Sequence, residues 1–193
     1  MVLILLAAPT KLEIGSNNVT VDHGVPYAFE KTTKKKIELR SFWTVPPNII
    51  ICDRVATVSR VTRAVTFWKR MGYEFGNIKH ATDHASCNRD YEHGSIRIML
   101  PDSSRNMSNE LAITLTSRIE VTHEAVSADI IIHSFAVGKE LVLEHEIGHA
   151  LGWYHINSTG HIMNPEYRFI GHRTAGVSNI DYIKIMYEKY VVE

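Results

Sequence analysis

The order in which strand-like and helix-like patterns alternate predicts an α/β (α+β) fold with a mixed sheet packed on helices. Three observations carry that expectation. Short apolar runs bounded by Pro or Gly recur from Ile37 to Ile132. One amphipathic helix pattern interrupts them early. Helical patterns return only after the last run.

The elements follow in order. Residues 1–36 stand apart as an N-terminal extension. Leu12–Ile14 and Val19–Val21 alternate around Gly15-Ser16-Asn17-Asn18, a hairpin pattern. Met1–Ala8 is apolar but short, with no basic flank, so it reads as a strand or packed arm rather than a signal peptide. Lys31 and Lys34–Lys36 read as a solvated connector. From Ile37 to Glu193 the pattern is that of one domain. Ile37–Trp43 alternates as a strand stopped by Pro46-Pro47. Arg54–Met71 carries Val55, Val58, Val61, Val65 and Trp68 at helical spacing and closes on Gly72. Tyr73–Phe75, Ser95–Leu100, Leu111–Thr116 and Asp129–Ile132 read as further strands. A helix over about 139–151 follows. A last helix is expected from Ser178, with Asp181 three residues on as a capping pair.

Composition bounds the function. The chain has 193 residues, 45% hydrophobic and 22% charged, enough for one compact domain and expected to act as a monomer. Its 21 basic and 21 acidic side chains cancel, which argues against a nucleic-acid partner. No apolar run approaches the roughly 18–20 residues that span a bilayer. The two cysteines, Cys52 and Cys87, could pair in an oxidising compartment or remain buried thiols.

The helix at 139–151 leads into His145-Glu146-Ile147-Gly148-His149-Ala150-Leu151-Gly152-Trp153-Tyr154-His155, of the form HExxHxxGxxH. Residues four apart share a helix face, so His145 and His149 can present two imidazoles to one Zn²⁺. Glu146 points about 100° away from His145, which suits a general base acting on water rather than a ligand. Gly152 accepts the left-handed conformation that ends a helix, and the chain can return with His155 as third ligand. Three ligands leave one position open, as a catalytic zinc requires. A catalytically silent zinc module would need the histidines but gain nothing from Glu146; a zinc that only holds the fold would show itself if chelation unfolded the protein and no peptide were cut.

With this motif and element order, the chain resembles the metzincin zinc endopeptidases, most closely the matrixins, over about residues 37–193. Met163-Asn164-Pro165-Glu166-Tyr167 is similar to the matrixin Met-turn at the matrixin distance from His155. The resemblance implies a mainly parallel five-stranded sheet with an N-terminal, an active-site and a C-terminal helix. It implies a protein or peptide substrate, lying antiparallel to an edge strand at 111–116. It places Met163 as a floor beneath the zinc, with Pro165, Tyr167, Leu141 and Val142 lining the pocket for the residue after the scissile bond. Pro165 stands where astacin-like relatives carry a ligand tyrosine, so no such ligand is expected. Ile156 departs from the usual matrixin Ser. An additional zinc or calcium could be held by His80, Asp83, His84 and His93, although solvent-facing polar side chains are the commoner explanation of such a set. Asp22-His23-Gly24-Val25-Pro26 echoes the matrixin latency segment, with His23 at the position of its Cys and Asp22 as a further potential ligand; a Gly-Pro turn accounts for it too.

Overall fold

The computed structural model describes residues 26–30, 36–81, 87, 93–102, 107 and 109–170, with short strand segments at 13–14, 17–18, 20–22, 183–186 and 190–192. Five strands form the central sheet: β1 (Asn48–Ile51), β2 (Ile78–His80), β3 (Ser95–Met99), β4 (Ala112–Arg118) and β5 (Ala125–Ile132). Their spatial order is β2-β1-β3-β5-β4. The first four neighbours run parallel, and β4 pairs antiparallel with β5, Ala112 opposite Ile132 and Thr114 opposite Ile130. The sheet is thus mixed and mainly parallel, as expected, and β4 is an edge.

Parallel strands need crossovers, and helix α1 (Val58–Lys69) supplies the one between β1 and β2. Thr57 caps it by accepting from the Arg60 amide at 3.2 Å. Gly72 follows in the left-handed region at φ +101°, the stop expected of it. Its buried face, Val61, Ala64, Val65 and Trp68, meets Ile49, Ile51, Ile96 and Ile98 in one apolar core. Helix α3 (Val142–Ala150), which carries the histidine motif, packs on α1, β4 and β5. Between β5 and α3 lies a short helix α2 (Ser134–Val137), and α4 (Tyr167–Ile170) closes the Met-turn.

Several expectations need correction. The first sheet strand is Asn48–Ile51, beyond Pro46-Pro47 rather than before it. Within Ile37–Trp43, the strand Lys36–Glu38 pairs instead with Tyr27–Glu30, and Phe42 makes a lone bridge to Glu124. Tyr73 and Phe75 are buried but lie outside the sheet strands; their alternation reflects side-chain burial, and the strand begins only at Ile78. The active-site helix starts at Val142, three residues later than expected, because Leu141 sits at φ +61° and breaks the helical run. Within the expected terminal helix, Ile183–Met186 is a strand on Tyr27–Glu30. Residues 178–182 of that helix lie outside the described residues. So do Met1–Ala8, Lys31, Lys34, Lys35 and the His23-Gly24-Val25 part of the latency echo. Of the expected hairpin, Glu13–Ile14 pairs with Asn17–Asn18, while Thr20–Asp22 pairs with Tyr190–Val192.

The cysteine question has a definite answer. Cys52, fully buried at the end of β1, is bonded to Cys87, with 5.9 Å between Cα atoms. The link ties the β2–β3 connection to the sheet. No helix among the described residues is long and apolar enough to cross a membrane.

Candidate active site

Helix α3 is held in place before any ligand is considered. The Arg60 guanidinium makes two parallel 2.8 Å bonds to the Glu144 carboxylate and donates to the carbonyls of Val137 and Lys139. Both charged side chains are buried, and Glu144 precedes His145 in the chain. Trp68 donates its indole N–H to the Glu144 carbonyl at 2.7 Å. Its ring lies edge-on to Tyr73, whose hydroxyl accepts from Trp153 at 2.5 Å. Gly148 has to be small, since a Cβ there would meet Met163 Sδ and come within 2.6 Å of Trp68. Met163, fully buried, packs against the helix at Gly148.

Gly152 ends the turn at φ +98°, and a Cβ there would collide with the Ser41 carbonyl. Only glycine meets both demands. The reversal brings His155 back onto the helix. Nε2 of His149 lies 3.0 Å from Nε2 of His145 and 3.0 Å from Nε2 of His155. Two nitrogens at tetrahedral zinc distances sit roughly 3.3 Å apart, so the cluster has the size of a zinc site. It is the one group of three metal-ligating side chains found among the described residues.

The other ring nitrogens explain why the Nε2 atoms face inward. His145 donates from Nδ1 to the Ile162 carbonyl at 2.7 Å, and His149 from Nδ1 to the Trp153 carbonyl at 2.8 Å. Each bond fixes the tautomer that leaves Nε2 as a lone pair. Burial, helped by the neighbouring His149, holds His145 down at about 3; burial holds His149 at about 4 and lowers His155 as well. All three are neutral at neutral pH.

Glu146 enters the same cleft. Burial pushes its carboxyl up to about 7, opposed by a 2.6 Å hydrogen bond from the Thr114 hydroxyl on β4 and reinforced by the charge on Glu110. A cation beside it would favour the ionised form. The cleft encloses about 750 Å³ between β4 and the segment 153–170, with Val142, Pro165 and Tyr167 on its wall. Leu141 is placed elsewhere: it lines a second cavity, against α1 and Gly138. The left-handed turn at its own Cα sends it there. Ile156 sits half-buried against the core, and its amide donates to the Met163 carbonyl at 2.8 Å, tying the third histidine to the Met-turn. His80, the last residue of β2, and His93, two residues before β3, are exposed; Asp83 and His84 lie outside the described residues.

Thr114, the two orienting carbonyls and Arg40 escaped the sequence reading. Thr114 was legible as a strand residue, but its bond to Glu146 depends on how β4 lies against α3.

The geometry is that of a metal-dependent hydrolase. Residues 42–188 match the model of the matrixin peptidases, and the chain belongs to that family of zinc metalloendopeptidases. No curated protein matches the chain.

Proposed function

We propose that the protein hydrolyses peptide bonds at a zinc held by His145, His149 and His155, with Glu146 as general base. One observation carries this reading: three Nε2 atoms converge, two with tautomers fixed from behind, on the cleft that Glu146 also enters. When bound, zinc supplies Lewis acidity to the attacking water and the scissile carbonyl. Glu146 takes the water's proton on its carboxylate and passes it to the leaving amine nitrogen. Thr114 holds that carboxylate against the strand so that one oxygen stays turned to the cleft. The substrate pairs antiparallel with the free edge of β4. The residue after the scissile bond enters the apolar wall of Val142, Pro165 and Tyr167, which favours an apolar side chain.

Residues 37–193 form the catalytic unit in this reading, with 1–36 as its extension, and the enzyme works as a monomer. The Cys52–Cys87 bond supports an oxidising compartment.

Digestion of a peptide library tests the proposal. Wild type should cut, a chelator should stop it, and Glu146→Ala should keep zinc while losing at least about a thousandfold in kcat. Undiminished turnover by that variant removes Glu146 from the mechanism.

A further inference from the structure

The cleft has two unlike ends. Ala112, at the start of β4, pairs with Ile132. The chain runs from Ile132 through α2 to Lys139, whose ammonium lies 5.7 Å from the Tyr167 ring centre. The apolar wall therefore stands at the Ala112 end. At the other end, the last residue of β4, Arg118, donates its side-chain N–H to the Arg40 carbonyl. Arg40 is thus placed beyond the far end of the strand, across the histidines from Tyr167.

Arg40 is fixed by its backbone and exposed at its tip. Its amide donates to the Gly152 carbonyl at 2.7 Å, on the very turn that returns His155. Its guanidinium carbon lies 5.1 Å from the ring centre of Tyr154, the residue before His155. It lines the same cleft as the three histidines, and its charge is felt at His149 and His155. The ion pairs among the described residues are Arg60–Glu144, Arg97–Asp129 and Arg168–Glu166, so Arg40 neutralises no carboxylate there.

We infer that Arg40 is a specificity-determining residue: it selects peptides carrying an Asp or Glu within the three residues before the scissile bond. The inference rests on the peptidase reading above. A strand antiparallel to β4 lays its N-terminal half toward Arg118 and Arg40 and its C-terminal half toward Tyr167. A guanidinium backed by an aromatic ring presents a planar fork of donors that matches a carboxylate. A lysine in the same stretch of substrate meets like charge.

The test uses peptides with Leu after the cleaved bond and Glu, Gln or Lys at each of the three preceding positions in turn. kcat/KM is measured for wild type, Arg40→Gln and Arg40→Glu at low salt. At one position, wild type should favour Glu over Gln by about fivefold, the upper range for an exposed charge pair, and disfavour Lys. The Glu-to-Gln ratio should fall to about one in Arg40→Gln, and Arg40→Glu should favour Lys. Equal cleavage of all three peptides by wild type overturns the inference even if a variant folds poorly. So does a preference for Glu that survives in Arg40→Glu. If wild type cuts nothing, the peptidase reading falls and this inference with it.

Discussion

His145 and His149 are each aimed by a backbone carbonyl that none of the motif's fixed residues supplies. The Ile162 carbonyl belongs to the Met-turn approach and the Trp153 carbonyl to the turn at Gly152. HExxHxxGxxH therefore names which side chains can bind, whereas the loops after the helix decide that they do so through Nε2. That division sets an expectation for pH. Histidines with ordinary values near 6.5 would lose about fiftyfold in zinc affinity between pH 7.5 and pH 6, because all three must shed a proton. Here folding lowers the proton affinity of each, so the neutral form persists to lower pH. Zinc affinity should change by no more than about threefold over that interval and fall steeply only below about pH 5. Competition against a chelator, in Glu146→Gln to remove that carboxylate's own titration, measures it. A fiftyfold loss by pH 6 would show that the rings are not desolvated as described.

At the scale of elements, what was legible depended on whether an element's identity is local. Helix α1 announces itself through Val58, Val61, Val65 and Trp68 and stops at its glycine. The end of α3 was equally readable at Gly152. Its start was not, because the run 139–151 contains no residue that forbids a helix. The left-handed Leu141 is imposed by packing, with its side chain driven into the core beside α1. The strands erred for the same reason: Tyr73 and Phe75 alternate because they fill the core, whereas pairing on β1 starts only at Ile78. The bond that couples the two helices, Arg60 to Glu144, joins residues 84 apart and was invisible in the sequence. Removing one partner strands a buried charge. Arg60→Ala should cost about 3–5 kcal/mol of stability in urea unfolding. It should also weaken zinc binding, since Glu144 adjoins His145. A loss under 1 kcal/mol would mean that the pair is not buried in solution.

At the scale of the whole molecule, the three histidines come together from a stretch of eleven residues, while the cleft's facing wall, β4, is distant from them in sequence. Strand β4 becomes the free edge only through the order β2-β1-β3-β5-β4. The extension contributes Tyr27–Glu30, which sits between Lys36–Glu38 and Ile183–Met186 in a second sheet. Cys52 and Cys87 supply the covalent part of this long-range order. They close a loop of sequence separation 35 across β2 and the connection to β3. Constraining a loop of that length removes unfolded-state entropy worth about 4 kcal/mol. Cys52→Ser with Cys87→Ser should therefore lower unfolding free energy by about 3–4 kcal/mol, and a thiol reductant should do the same to wild type. The active-site helix takes no part in the loop, so peptide cleavage at temperatures below the new midpoint should persist in the double variant. Stability equal to wild type would show that the unfolded chain does not gain that freedom. Loss of zinc from the folded double variant would show instead that the tethered connection supports the cleft.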